Sequence, residues 1–241
     1  MKNLLPSILA ASSLLVMLGV RPAAATVLVS VSGSAPTSSF ASNTTSSGAG
    51  LQWRNDTTNG LRDVGQSFSV ATNLSLNAIT FQIASNSAPG TGVLNAAFNL
   101  SIFQVSPNNN TGIPSGAAIS VQSGILTGLT ATSSDWSKYV TFTLGTSVAL
   151  TSGNTYAVML DFTTQAANRN IVFQYNSPSS YVPGQMIIST NGTSYSLFDS
   201  SNRPDFVFYA TAVPEPSTVV LGLLGVAFVV LRRRVRHARC A

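Results

Sequence analysis

The stretch Thr155-Tyr156-Ala157-Val158-Met159-Leu160-Asp161-Phe162 decides the fold. Tyr156, Val158, Leu160 and Phe162 recur at every second position, so an extended chain projects all four to one face. Large apolar side chains at that period describe a half-buried strand; a helix would scatter them around its circumference. Ser152-Gly153-Asn154, immediately upstream, supplies a turn. Asp161 is out of phase with the four and is expected to point away from their core face.

The same period recurs along the chain. Val27, Val29 and Val31 alternate, as do Ile79, Phe81 and Ile83 with Thr80 and Gln82 opposite, and Val140, Phe142 and Leu144 with Thr141 and Thr143 outside. Phe98, Leu100 and Ile102 alternate too, but the next apolar residues, Phe103 and Val105, change phase, and a β-bulge near Ile102 is expected to reconcile the halves. No stretch of helical period lies between Thr26 and Val213. Short strands separated by turns predict an all-β chain, an antiparallel β-sandwich or jelly-roll-like single domain. Ser32 to Gly50, rich in Ser, Thr, Gly and Ala, has little to bury and is expected to be a loose arm.

The two ends are built differently. Lys2 precedes an apolar run from Leu4 to Val20, and Ala23-Ala24-Ala25 presents the small side chains a signal peptidase accepts, so cleavage is expected after Ala25 with Thr26 as the new N-terminus. At the other end Val213-Pro214-Glu215-Pro216 leads into an uncharged run from Val219 to Leu231, followed by Arg232, Arg233, Arg234 and Arg236. That run of 13 residues would span about 20 Å as a helix, short against a bilayer core of about 30 Å. The arginines hold its end on the cytoplasmic side, so the body before it is expected to be exported across the inner membrane.

These C-terminal residues resemble a PEP-CTERM sorting signal. The resemblance implies processing by exosortase, a membrane-embedded cysteine transpeptidase-like enzyme of Gram-negative bacteria, in systems that accompany exopolysaccharide and biofilm production. Val213, Pro214, Glu215 and Pro216 would then be the sorting motif, residues 219–231 a transmembrane helix, and Arg232, Arg233, Arg234 and Arg236 the basic stop. A second likeness covers residues 60–212. Val64-Gly65-Gln66-Ser67-Phe68, Leu100-Ser101-Ile102-Phe103, Val140-Thr141-Phe142 and Leu150-Thr151-Ser152-Gly153-Asn154-Thr155-Tyr156 follow in the order of the choice-anchor R domain, which implies a secreted β module without catalytic residues to transfer. The expected organisation is a signal peptide over 1–25, a Ser/Thr/Gly-rich strand and loop over 26–59, the β-sandwich over 60–212 and the sorting signal over 213–236.

Composition narrows the function classes once the ends are set apart. The whole chain carries a net charge of +5, but Lys2, Arg21 and the five tail arginines account for the excess. Between Thr26 and Val213 five basic residues face six aspartates, which leaves too little positive charge to capture nucleic acid. The lone Cys240 and lone His237 both lie in the tail, so the body holds no disulfide, no Ser–His or Cys–His pair and no thiolate or imidazole zinc site. No catalytic residue and no metal ligand is expected.

Three chemistries compete for the body. A secreted carbohydrate-active enzyme would need a pair of carboxylates, and Asp161 is the most interesting of the six aspartates; an ordinary solvated strand residue is the plainer reading. Structural calcium would use loop carboxylates, with Asp56 and Asp63 around one Gly-containing loop and Asp199 and Asp205 around another. Glycan contact would use aromatic faces beside amides and hydroxyls, with Trp53, Trp136, Tyr175, Tyr181 and Tyr195 as candidates, though any of these rings could instead cap the sandwich. Ice binding would require a flat threonine face at regular spacing, and the linear sequence shows none. Taken together, an exported surface or matrix protein is expected, with signal peptidase and exosortase as processing partners and extracellular polysaccharide as a candidate ligand.

Overall fold

A computed structural model of the chain describes residues 26–105, 112–179, 181 and 184–213. The expected signal peptide, with Ala23 and Ala25, and the expected helix over 219–231 with its arginines lie outside the described residues. Among the described residues no helix is long and apolar enough to cross a membrane.

In chain order the strands are β1 (Thr26–Ser32), β2 (Ala41–Asn43), β3 (Ala49–Asp56), β4 (Gly60–Ser69), β5 (Leu74–Gln82), β6 (Ala97–Val105), β7 (Ser120–Ile125), β8 (Tyr139–Leu150), β9 (Thr155–Phe162), β10 (Asn170–Asn176), β11 (Met186–Ser189), β12 (Ser196–Leu197), β13 (Asp205–Phe206) and β14 (Phe208–Val213). They hydrogen-bond in the order β13-β10-β3-β4-β9-β6-β7-β1-β8-β5-β14-β2, with β11 and β12 branching from β4. Every pairing is antiparallel except β1 with β7. The path bends back on itself: an isolated bridge joins Ile83, just past β5, to Phe173 of β10, and Ala84 N–H donates to the Val172 carbonyl at 2.9 Å.

The result is one nearly closed, barrel-like sheet around a single core, where a two-sheet sandwich was expected. Alternation reveals which face of a strand is buried but not which strand lies beside it. Here β1, slotted in parallel to β7 and antiparallel to β8, joins what would otherwise be two sheets.

Strands from before and after residue 60 share that sheet. β1 lies mid-sheet, β3 pairs with both β4 and β10, and the Ser32–Gly50 segment is pinned by β2 against β14. Phe40 anchors the segment, its N–H bonded to the Ala210 carbonyl at 3.0 Å and its ring 5.7 Å from Phe68.

The alternating residues of β5, β8 and β9 all enter the core as expected. At its centre Trp53 stacks on Phe162, with ring centroids 3.9 Å apart and planes 8° apart. Phe98, Phe142 and Phe173 surround it. The expected bulge near Ile102 does not occur: β6 pairs with β9 in unbroken register from Phe98–Phe162 to Val105–Thr155. The phase changes because both faces are covered. Phe103 and Val105 join Ala157, Met159 and Ile187 in a second apolar cluster outside the sheet, with Tyr195 packed against it. Register shifts fall instead between Leu76 and Ala78 and between Thr211 and Ala212.

Candidate functional site

Cross-strand pairing assembles two polar features that the linear sequence does not display. The first is a row of polar residues across the outer face. Ser189 of β11 pairs with Asp63 of β4; the β4–β9 pairing ends at Val64–Leu160, and just past that end the charge of Asp161 of β9 acts on Asp63; Asp161 pairs with Asn99 of β6, and Asn99 with Ser123 of β7. Val64 and Leu160 point inward, so their neighbours point out. Asn99 Nδ2 donates to Asp161 Oδ1 at 3.0 Å, and Ser123 Oγ donates to Asn99 Oδ1 at 2.8 Å.

Asp63 is the unusual member of this row. Only 3% of its surface is exposed, because β11 and the turn after it lie alongside, and its Oδ1 is buried without a hydrogen-bond partner. Burial, then the neighbouring Asp161 charge, pushes its carboxyl up to about 7. Asp161 is also raised by burial, partly offset by the Asn99 bond. Tyr195 reaches the same place: burial and then the Asp161 and Asp63 charges raise its phenol. The sequence identified Asp161 as outward-facing, but its partner required knowing that β4 lies beside β9.

The second feature is a groove of about 430 Å³ between the Ser34–Thr37 segment and the outer faces of β5, β8 and β14. Thr80, Thr141, Thr143, Thr211 and Asn77 line it, and Thr80 Oγ1 and Thr141 Oγ1 lie 2.8 Å apart. Pairing in register, Tyr209 beside Thr80 and Tyr139 beside Gln82, sets two tyrosines on the same face with ring centroids 5.8 Å apart. A threonine face therefore exists, built across strands and not by spacing along the chain.

The expected aromatic contacts divide. Trp53 is fully buried in the aromatic core and is no surface ligand; an indole of that volume fills the space between β3 and β9. Trp136 is 44% exposed. Tyr175 packs on Phe198, Tyr181 on Phe208 and Tyr195 on Phe103, each half-buried against a different neighbour. Burial pushes the Tyr181 hydroxyl up to about 12.

Asp56, Asp199 and Asp205, from the two expected calcium loops, each have their own partners. Asp56 is committed to its own turn, accepting from Thr58 N at 2.8 Å and Asn59 N at 3.0 Å, bonds that hold its carboxyl low. Asp199 closes another turn through Ser201 N and Asn202 N. Asp205 is buried against Gln66, whose Nε2 donates to its Oδ1 while Gln66 Oε1 accepts from Phe206 N at 3.0 Å. Among the described residues no three His, Cys, Asp or Glu side chains cluster as a metal site.

Residues 212–236 match the PEP-CTERM protein-sorting motif. The motif implies an exosortase-sorted extracellular protein whose precursor is anchored in a membrane before processing, with exosortase as the processing partner. No curated protein matches the chain. Of the sorting residues only Val213 is described: it ends β14, 41% exposed, in register with Ser75 of β5. Pro214, Glu215 and Pro216 lie outside the described residues.

Proposed function

We propose that this is a surface or exopolysaccharide-matrix protein of a Gram-negative bacterium, with a non-catalytic barrel-like domain in a structural or adhesive role. The observation that carries the reading is the junction at Val213, at once the last residue of β14 and the threshold of the sorting motif. Cleavage at Pro214-Glu215-Pro216 would leave β14 whole and release a finished domain. In this reading residues 60–212 serve as a choice-anchor R-like module, and the hydroxyl-lined groove with Tyr139 and Tyr209 offers glycans the mixed apolar and hydrogen-bonding surface they need.

Intact-mass spectrometry of wild type and Glu215→Ala in the native host tests the assignment. Wild type is expected in the matrix fraction without residues 219–231, and the variant in the membrane fraction with them. An uncut tail in both would refute sorting, and a cut form absent from the matrix would refute the matrix role.

One observation favours a second reading. Asp63 and Asp161 give a secreted carbohydrate-active enzyme its required pair of carboxylates, one of them raised towards neutrality. The seclusion of Asp63 Oδ1 weighs against it, since an acid must reach the glycosidic oxygen. Hydrolysis of host polysaccharide that disappears in Asp161→Asn would establish that reading in place of the non-catalytic one.

A further inference from the structure

We propose that Asp63 and Asp161 form the core of a binding site for a divalent, oxygen-seeking cation of the calcium class. The two carboxylates lie just past the end of the β4–β9 pairing, near enough for the Asp161 charge to act on Asp63, and like charges close together on neighbouring strands destabilise a sheet. Among the described residues no ion pair compensates them, since the salt bridge found there joins Lys138 to Asp135 elsewhere. Asp161 accepts one bond, from Asn99, and Asp63 Oδ1 is buried with none. An unpartnered buried carboxylate oxygen is costly to maintain, and a cation or a proton removes that cost.

The chemistry of the rim favours a cation. Ser189, paired with Asp63, and Tyr195, within electrostatic reach of both aspartates, bring further oxygen atoms to the row. Asn99 directs its amide N–H to Asp161 and so fixes that carboxylate's orientation. No imidazole or thiolate of the kind zinc prefers is on offer, because the chain's one Cys and one His lie in the tail. Two carboxylates, neutral oxygens and water form a hard, oxygen-only set that suits calcium, which tolerates irregular coordination better than magnesium. Export places the domain where calcium is abundant, unlike the cytosol.

The site lies on β4 and β9, with β11 alongside Asp63. The turn after β11 comes close too: a side chain at Gly192 would place its Cβ 4.0 Å from Asp63 Oδ2. A bound ion would therefore tie the β11 branch to the main sheet.

Thermal unfolding of the full chain in detergent, stripped with chelator and then titrated with calcium, tests the proposal. At a hundredfold excess over Kd the melting temperature is expected to rise by roughly 5 °C or more. Asp63→Asn and Asp161→Asn should each abolish the rise while folding as well as the chelated wild type, because each removes a repulsion. Asp199→Asn, in an unrelated turn, should retain it. Terbium luminescence excited through Tyr195 gives an independent readout and should disappear in Asp161→Asn. No calcium-dependent shift in wild type would overturn the proposal, and greater stability of Asp63→Asn in chelator would then identify a carboxyl pair sharing one proton. A shift that survives in both aspartate variants would also overturn it.

Discussion

Replacing Trp53 by alanine should be among the most damaging single changes in the barrel. The indole is fully buried and stacked on Phe162 at 3.9 Å, with Phe98, Phe142 and Phe173 around it at 5.9, 6.2 and 6.1 Å. Truncating a buried Trp costs about 3–5 kcal/mol, since transfer free energy and a residual cavity add. The lost stacking places this site towards the upper half of that range. For a domain of this size, where each kcal/mol shifts Tm by roughly 2–4 °C, the midpoint should fall by roughly 8–20 °C. Trp53→Phe should cost only about 1–2 kcal/mol, because it keeps a ring on Phe162 and removes Nε1, which is buried without a partner. Denaturant unfolding followed by near-UV circular dichroism measures both, with an unchanged m-value confirming that the denatured state is unaltered. Trp136→Ala, at an exposed position, is the matched control and should stay within about 0.5 kcal/mol. A cost below about 1 kcal/mol for Trp53→Ala would refute the aromatic core and return Trp53 to the surface.

Stability should fall as pH rises through Asp205: burial, partly offset by Ser179, Gln66 and Arg203, holds its folded carboxyl at about 6 against an ordinary 3.8. The folded state therefore favours the protonated form, and about 3 kcal/mol present below pH ~4 is lost above pH ~6; denaturant midpoints at the two ends should differ accordingly, and Asp205→Asn should flatten the slope. Gly124→Ala should destabilise by about 1–3 kcal/mol, because the new Cβ would meet Phe98 Cζ at 2.6 Å and the Val27 carbonyl oxygen at 2.8 Å; a thermal melt like that of wild type would deny the close β1–β7 approach. Asp135→Ala should cost about 2–4 kcal/mol, since the buried carboxylate accepts from Thr130 N at 2.7 Å and Ala131 N at 2.9 Å. Lys138→Met, which removes only the part-exposed end of the 3.2 Å ion pair, should cost less than about 1 kcal/mol in the same assay.

Local periodicity carried the strands because it is a local property. Tyr156, Val158, Leu160 and Phe162 face the core for the reason their spacing suggests. Phe103 and Val105 misled because a second apolar cluster lies outside the sheet, and a strand covered on both faces loses its alternation. Trp53 was placed among surface aromatics because its neighbours in sequence, Gln52 and Arg54, are polar; polar neighbours on both sides are also what a core residue on an alternating strand has. The acidic pair and the threonine groove were illegible for a different reason. Asp63 and Asp161 are far apart along the chain, as are Thr80 and Thr141, and only register brings each pair together. The sorting motif, contiguous by nature, needed no tertiary information.

Closure of the sheet addresses a problem set by this composition. Only 8% of residues are charged, so the chain has few lysines or glutamates with which to blunt exposed strand edges, the usual protection against edge-to-edge aggregation. Topology supplies the protection instead. The main path ends in β2, three residues long, and β13, two residues long, while the branch ends in the two-residue β12. The long strands β4, β8 and β9 all lie inside the sheet with partners on both sides. A domain built this way can present hydroxyls and amides at high local concentration without offering an unpaired ladder to its neighbours. Extending β2 with alternating valines between Ala41 and Thr45 should remove that protection and produce concentration-dependent association by light scattering; a variant that stays monomeric would show that the short edge is incidental.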